Sequence, residues 1–77
     1  MMCRRIRIIR HRLRKSQTEM GELYRIEAFA WHLIETGKAG APLRVLQGLC
    51  TDFDVSADFL LLGAEPVFRT EPSMIMF

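Results

Sequence analysis

The sequence predicts an all-α fold: a compact five-helix bundle with a helix-turn-helix and a short irregular C-terminal tail. Two apolar stripes of helical period, Met20-Leu23-Tyr24 and Ile26-Ala30-Trp31-Ile34, lie on either side of a break at Arg25-Ile26. Further stripes flank them, with Ile6, Ile9 and Leu13 ahead and Leu43, Leu46, Leu49, Cys50 and Phe53 behind. Residues that favour helix ends stand between the stripes: Ser16, Gly37, Pro42, Ser56 and Gly63. These features divide the chain into a helical domain, residues 1–63, and a tail, residues 64–77.

The first helix is expected over residues 4–15, with Ile6, Ile9 and Leu13 turned to the core. The second runs over 17–24. Ser16-Gln17-Thr18-Glu19 has capping-box spacing, in which the serine hydroxyl takes an orphan N–H and the glutamate reaches back. The third helix covers 27–36 and stops at Gly37, a natural residue just past a helix end. Two short helices with a tight joint form a unit that commonly lays its second helix in the DNA major groove. Residues 38–41 form a loop. Pro42 suits the first turn of the fourth helix, where its missing N–H would be orphaned anyway. Residues 52–55 hold a turn, and Ser56 caps a short fifth helix carrying Phe59, Leu60 and Leu61, ended by Gly63. Pro66 and Pro72 exclude a helix beyond it. The apolar segment Met74-Ile75-Met76-Phe77 is either a disordered end, a strand on the domain's own surface, or a dimer contact.

Seventy-seven residues make one small domain, which buries only about 60% of its unfolded surface. A hydrophobic fraction of 49% belongs to a globular chain, and no apolar run approaches a membrane span. The net charge of +2 conceals a lopsided distribution. Arg4, Arg5, Arg7, Arg10, Arg12, Arg14 and Lys15 precede the first acid, while the rest of the chain holds all nine acids against Arg25, Lys38, Arg44 and Arg69. Such a block suggests a polyanionic partner, or else a solvated helix face. It resembles a transit peptide only superficially, because Ile6, Ile9 and Leu13 have core-facing spacing. Cys3 and Cys50 form no CxxC pair, so reduced thiols in a cytoplasmic protein are expected. His11 and His32 have no companion ligands for a metal. The hydroxyls have no His-plus-acid partner at recognisable spacing, and no phosphate-binding glycine loop is present, so no enzyme, cofactor or small-molecule ligand is expected.

SQTEMGEL from Ser16, then Ile26, then LIETGK ending at Lys38 resembles the lambda-repressor-like, Cro/Xre-type helix-turn-helix family. That pattern reads roughly SQ-x-x-LA, about eight residues, then I-x-x-[IW]-E-x-G-[KR], and the match needs no gap. Ile6-Arg7-x-x-Arg10, Pro42, Leu49-Cys50 and the run from Val55 to Leu61 extend it, so the resemblance covers residues 6–63. It implies an ion pair between Arg10 and Glu35, joining the first helix to the end of the third. It implies that Gln17 holds a DNA phosphate at a helix N-terminus, where free N–H groups and the dipole favour an anion. Thr18, Lys38 and Arg44 lie on segments that flank the groove in this family's docking. With Arg4, Arg5 and Arg7 of the basic block, they complete the phosphate-contact set.

For base readout the resemblance implies Glu27, Ala28, Phe29, His32 and Leu33. Glu27 would accept from cytosine N4, Ala28 or Phe29 would meet a thymine methyl, and His32 would donate to guanine. None is a bidentate arginine–guanine or glutamine–adenine pair, and Phe29 and Leu33 suit a protein partner as well. Arg25 stands where the family often has glycine. A left-handed conformation costs a residue with a Cβ about 1 kcal/mol or more, so a reshaped or longer turn is expected. Arg14 likewise replaces a favoured glycine between the first two helices. Both add positive charge beside the expected groove-facing side. The expected protein is a bacterial or phage repressor-like regulator, binding double-stranded DNA as a homodimer by operator occupancy. The competing expectation is an antitoxin- or antirepressor-type interaction module on a degenerate helix-turn-helix.

Overall fold

A computed structural model of the chain describes residues 2–69. Five helices follow in order: α1 (Met2–Arg12), α2 (Gln17–Tyr24), α3 (Ala28–Glu35), α4 (Leu43–Asp52) and α5 (Ala57–Leu62). The only strand-like pairing among the described residues is an isolated antiparallel bridge between Val55 and Phe68.

α1 turns Ile6, Ile9 and Arg10 inward and keeps Arg4, Arg7, Ile8 and His11 outside. It begins and ends earlier than the 4–15 predicted by its apolar spacing. Arg14 adopts a left-handed φ of 57°, which a continuing helix cannot accommodate. Arg10, His11 and Arg12 in the last turn suit the negative end of the helix dipole.

The capping box that opens α2 is complete. Ser16 Oγ accepts from the Glu19 amide at 3.0 Å, and the Ser16 amide donates to Glu19 Oε1 at 2.8 Å. That second bond holds the Glu19 carboxyl below the usual carboxylate range. α2 ends at Arg25, which takes the left-handed conformation itself, φ 57° and ψ 46°. The expected longer turn is therefore absent, and α3 starts at Ala28, capped by the Glu27 backbone. The return is tight because position 21 has no side chain: a Cβ there would collide with the Ile26 carbonyl. Ile26 N–H instead reaches the Gly21 carbonyl at 2.8 Å. Arg25→Gly is expected to raise stability by up to about 1 kcal/mol, because glycine adopts this conformation without Cβ strain. Urea denaturation followed by circular dichroism measures it, and a destabilised variant would show that the arginine side chain has a structural role of its own.

α3 occupies 28–35 rather than 27–36, with Glu27 and Thr36 as its cap residues. Pro42 precedes α4 as its N-cap instead of entering the first turn, and its carbonyl accepts from Val45 and Leu46 N–H. α4 is also rotated from the predicted face. Val45 and Leu49 are fully buried, Leu46 and Cys50 are half-buried, and Leu43 is exposed. The cause is Gly48. A Cβ there would lie 2.5 Å from Tyr24 Cε1, so the Tyr24 ring lies close over the bare backbone and brings the Val45–Leu49 side inward. Tyr24 OH donates to Asp52 Oδ2 at 3.4 Å, and burial together with this carboxylate pushes its pKa up to about 12.

Ser56 caps α5 through its hydroxyl, and Gly63, at φ 75°, ends it. Phe59 and Leu60 are buried, whereas Leu61 and Leu62 are exposed. The following residues return along the body. Ser56 N–H donates to the Val67 carbonyl, Arg69 N–H donates to the Asp54 carbonyl, and Val67 is buried. The first part of the irregular tail thus lies on the domain's own surface. Met74–Phe77, considered above as a dimer contact, lie outside the described residues.

Trp31 is at the centre of the core, with Ile6, Ile9, Met20, Leu49 and Leu60 also fully buried. Its ring stacks on Tyr24, 6.1 Å between centroids and 12° from parallel. α3 packs on both α2 and α1, and α1 also packs on α5.

Candidate functional site

A buried carboxylate anchors α3. Glu35 accepts from Arg10 Nε at 2.7 Å and Nη2 at 3.1 Å, from Trp31 Nε1 at 2.6 Å, and from Gln17 Nε2 at 3.1 Å. Burial alone would push this carboxyl up, but the donors from Arg10, Gln17 and Trp31 outweigh it and hold it below the usual range. Arg10 Nη1 also donates to the Lys15 carbonyl at 2.9 Å. One guanidinium therefore ties α1 to both the α1–α2 turn and the end of α3. A bidentate arginine–carboxylate pair has the geometry for this, since two parallel bonds fix orientation as well as distance.

With its inner face pinned, α3 presents Glu27, Phe29 and His32 to solvent, with Ala28 and Leu33 half-buried beside them. Phe29 is 71% exposed. Leu33 is less open than its four-residue spacing from Phe29 predicts. The chain folds back over the end of α3, where Lys38 and Ala39 N–H both bond the Leu33 carbonyl.

The expected phosphate-contact residues separate into two groups. Thr18, Arg4, Arg7 and Lys38 are exposed, and their side chains make no hydrogen bond or ion pair among the described residues. The other three side chains are engaged with the protein. Arg5 Nη1 donates to the Leu60 carbonyl at 3.0 Å, and its guanidinium lies over Gly63, where a Cβ would come within 3.1 Å of Nη2. Arg44 Nη1 donates to the Tyr24 carbonyl at the end of α2. The Gln17 amide faces Glu35 and lies 3.3 Å from His32 Nδ1. These bonds join residues 15 to 55 positions apart, and no local sequence signal announces them. Arg14 and Arg25, each in a left-handed conformation at the end of a helix, add exposed cations.

On another side, α4 and α5 enclose an open apolar groove of about 280 Å³, lined by Leu43, Leu46, Cys50, Ala57, Leu60 and Leu61 among others. No group of three or more His, Cys, Asp or Glu among the described residues is placed to hold a metal ion, and no described helix is long and apolar enough to cross a membrane. Comparison with protein-family models, with curated proteins and with solved structures finds no match to this chain.

Proposed function

We propose that this chain is a lambda-repressor-like, Cro/Xre-type helix-turn-helix protein. It acts as a non-catalytic, repressor-like transcriptional regulator in the bacterial cytoplasm, of bacterial or phage origin, and binds double-stranded DNA as a homodimer. The observation that carries the reading is the α2–turn–α3 unit. Its second helix is locked inward by the Glu35 cluster and open outward at Glu27, Phe29 and His32. Exposed Arg14, Arg25 and Lys38 stand on the adjoining turns.

In this reading α3 enters the major groove. The capping box occupies the Glu19 N–H, leaving the Gln17 and Thr18 N–H groups and the Thr18 hydroxyl for a phosphate. Arg4, Arg7 and Lys38 contribute charge to the backbone contacts. Glu27 accepts from cytosine, His32 donates to guanine, and Phe29 with Ala28 meets thymine methyls. So few base contacts leave much of the selectivity to DNA shape. Two copies place their α3 helices about 34 Å apart on successive grooves. The exposed leucines Leu43 and Leu61, which line the α4–α5 groove, support self-association.

The test is a mobility shift across a salt series. Replacing Arg4 and Arg7 with glutamine is expected to weaken binding to all sequences. It should flatten the dependence of log affinity on log salt by up to about 2, since each lost phosphate contact releases one counterion fewer. An unchanged slope would remove α1 from the DNA surface. A second reading, an antitoxin- or antirepressor-type module, is favoured by the exposure of Phe29. Phe29→Ala separates the two. It should reduce discrimination between sites while sparing non-specific affinity if α3 reads DNA, and abolish self-association or partner capture if α3 binds protein.

A further inference from the structure

We propose that Gln17 is a positioning residue that fixes the tautomer of His32, so that the ring meets DNA as an Nε2–H donor and selects guanine in each half-site. This rests on the DNA-binding reading above.

The Gln17 amide meets both Glu35 and His32, and its two bonds fix which ring nitrogen accepts. The Gln17 side-chain atom 3.1 Å from Glu35 Oε1 must be the amide nitrogen, because an ionised carboxylate paired with Arg10 has no proton to donate. That nitrogen carries two hydrogens. One goes to Glu35, and the other points to His32 Nδ1 at 3.3 Å. A nitrogen that accepts keeps its lone pair, so in the neutral ring the proton sits on Nε2. His32 is exposed on the outer side of α3, so its unshared edge faces outward as a donor. The chain Arg10–Glu35–Gln17–His32 thus carries orientation from the buried ion pair to the surface of the helix. Guanine offers two acceptors on its major-groove edge, N7 and O6, and suits such a donor. Adenine N7 is flanked by an amino group that the ring would have to avoid.

Two measurements on the full chain test the proposal. Long-range proton–nitrogen correlation spectra of the free protein, at mildly alkaline pH, report which His32 nitrogen is protonated. The expected result is protonation at Nε2 in the wild type, and a mixture of tautomers in Gln17→Met, which removes the donor but keeps the length of the side chain. A wild-type ring protonated on Nδ1, or the same tautomer balance in both proteins, would overturn the Gln17 assignment. Selection from random DNA then tests the base. The wild type should prefer guanine at one position per half-site, on the order of tenfold. His32→Ala should lose that preference, and Gln17→Met should weaken it at the same position alone. A preference that survives His32→Ala, or falls equally at all positions in Gln17→Met, would overturn the role in selection. If no variant or wild type enriches any DNA, the guanine assignment falls with the DNA-binding reading, while the spectra still decide whether Gln17 sets the tautomer.

Discussion

Replacing Trp31 with alanine is expected to cost about 3–5 kcal/mol, a large part of the stability of a domain this size. The indole has no solvent exposure, and its removal opens a void at the meeting of α1, α2 and α3. Two specific interactions are lost with it, the stacking on Tyr24 and the N–H bond to Glu35 Oε2. Trp31→Phe should separate these contributions. It keeps an aromatic surface for Tyr24 but leaves Glu35 one donor short, so a loss well below that of alanine is expected. Chemical denaturation measures both. Trp31 is the only tryptophan, so the native protein should show blue-shifted emission that is poorly quenched by iodide. Red-shifted, readily quenched emission in the native state would contradict the burial on which the prediction stands.

Glu35→Ala is expected to cost about as much, 3–5 kcal/mol by order of magnitude, for a different reason. It leaves the Arg10 guanidinium buried without its counter-charge, and deprives Trp31 Nε1 and Gln17 Nε2 of their acceptor. Most of that cost is the stranded charge rather than the net worth of the pair. Arg10→Met combined with Glu35→Met should therefore be more stable than Glu35→Ala. A double variant as unstable as Glu35→Ala would show that the network itself holds the bundle together. The pair also has a pH signature. The folded-state pKa of Glu35 is depressed, so its contribution is fully present above the ordinary carboxylate pKa of about 4.3. It is lost as pH falls below that value and through the depressed one. Wild-type stability should fall more steeply with acid than that of Glu35→Gln, and parallel pH profiles would show that another group governs acid unfolding.

The features that the sequence determines by itself are those written within a few residues of one another. The capping box needs only Ser16 and Glu19, three apart, and it forms where that spacing places it. Gly37 and Gly63 end α3 and α5 because glycine alone takes a positive φ without cost, and both do. The periodic stripes locate five helices and most of the core, including Ile6, Ile9, Met20, Trp31, Leu49 and Phe59. Helix ends are less legible where a neighbour decides them. Arg14 and Arg25 accept left-handed conformations that their side chains disfavour, since bonds from the Arg10 side chain and the tight return at Gly21 hold the turns short.

Side-chain partners and helix rotation were decided only by the tertiary structure. Seven basic residues before Ser16 look alike in the sequence, yet Arg10 is buried on Glu35, Arg5 bonds the Leu60 carbonyl, and Arg4 and Arg7 remain in solvent. Their difference lies in which side of α1 each occupies and in what α3 and α5 bring to that side. Gln17 reads as a surface residue at a helix start, and its amide turns inward because Glu35 and His32 arrive from α3. α4 is rotated by the ring of Tyr24 meeting the bare backbone at Gly48, a contact between residues 24 positions apart. A helix period shows that one face must be covered. Which residues cover it, and which polar groups they satisfy, depends on the packing of elements distant in sequence, where hydrogen-bond geometry and steric fit act through space rather than along the chain.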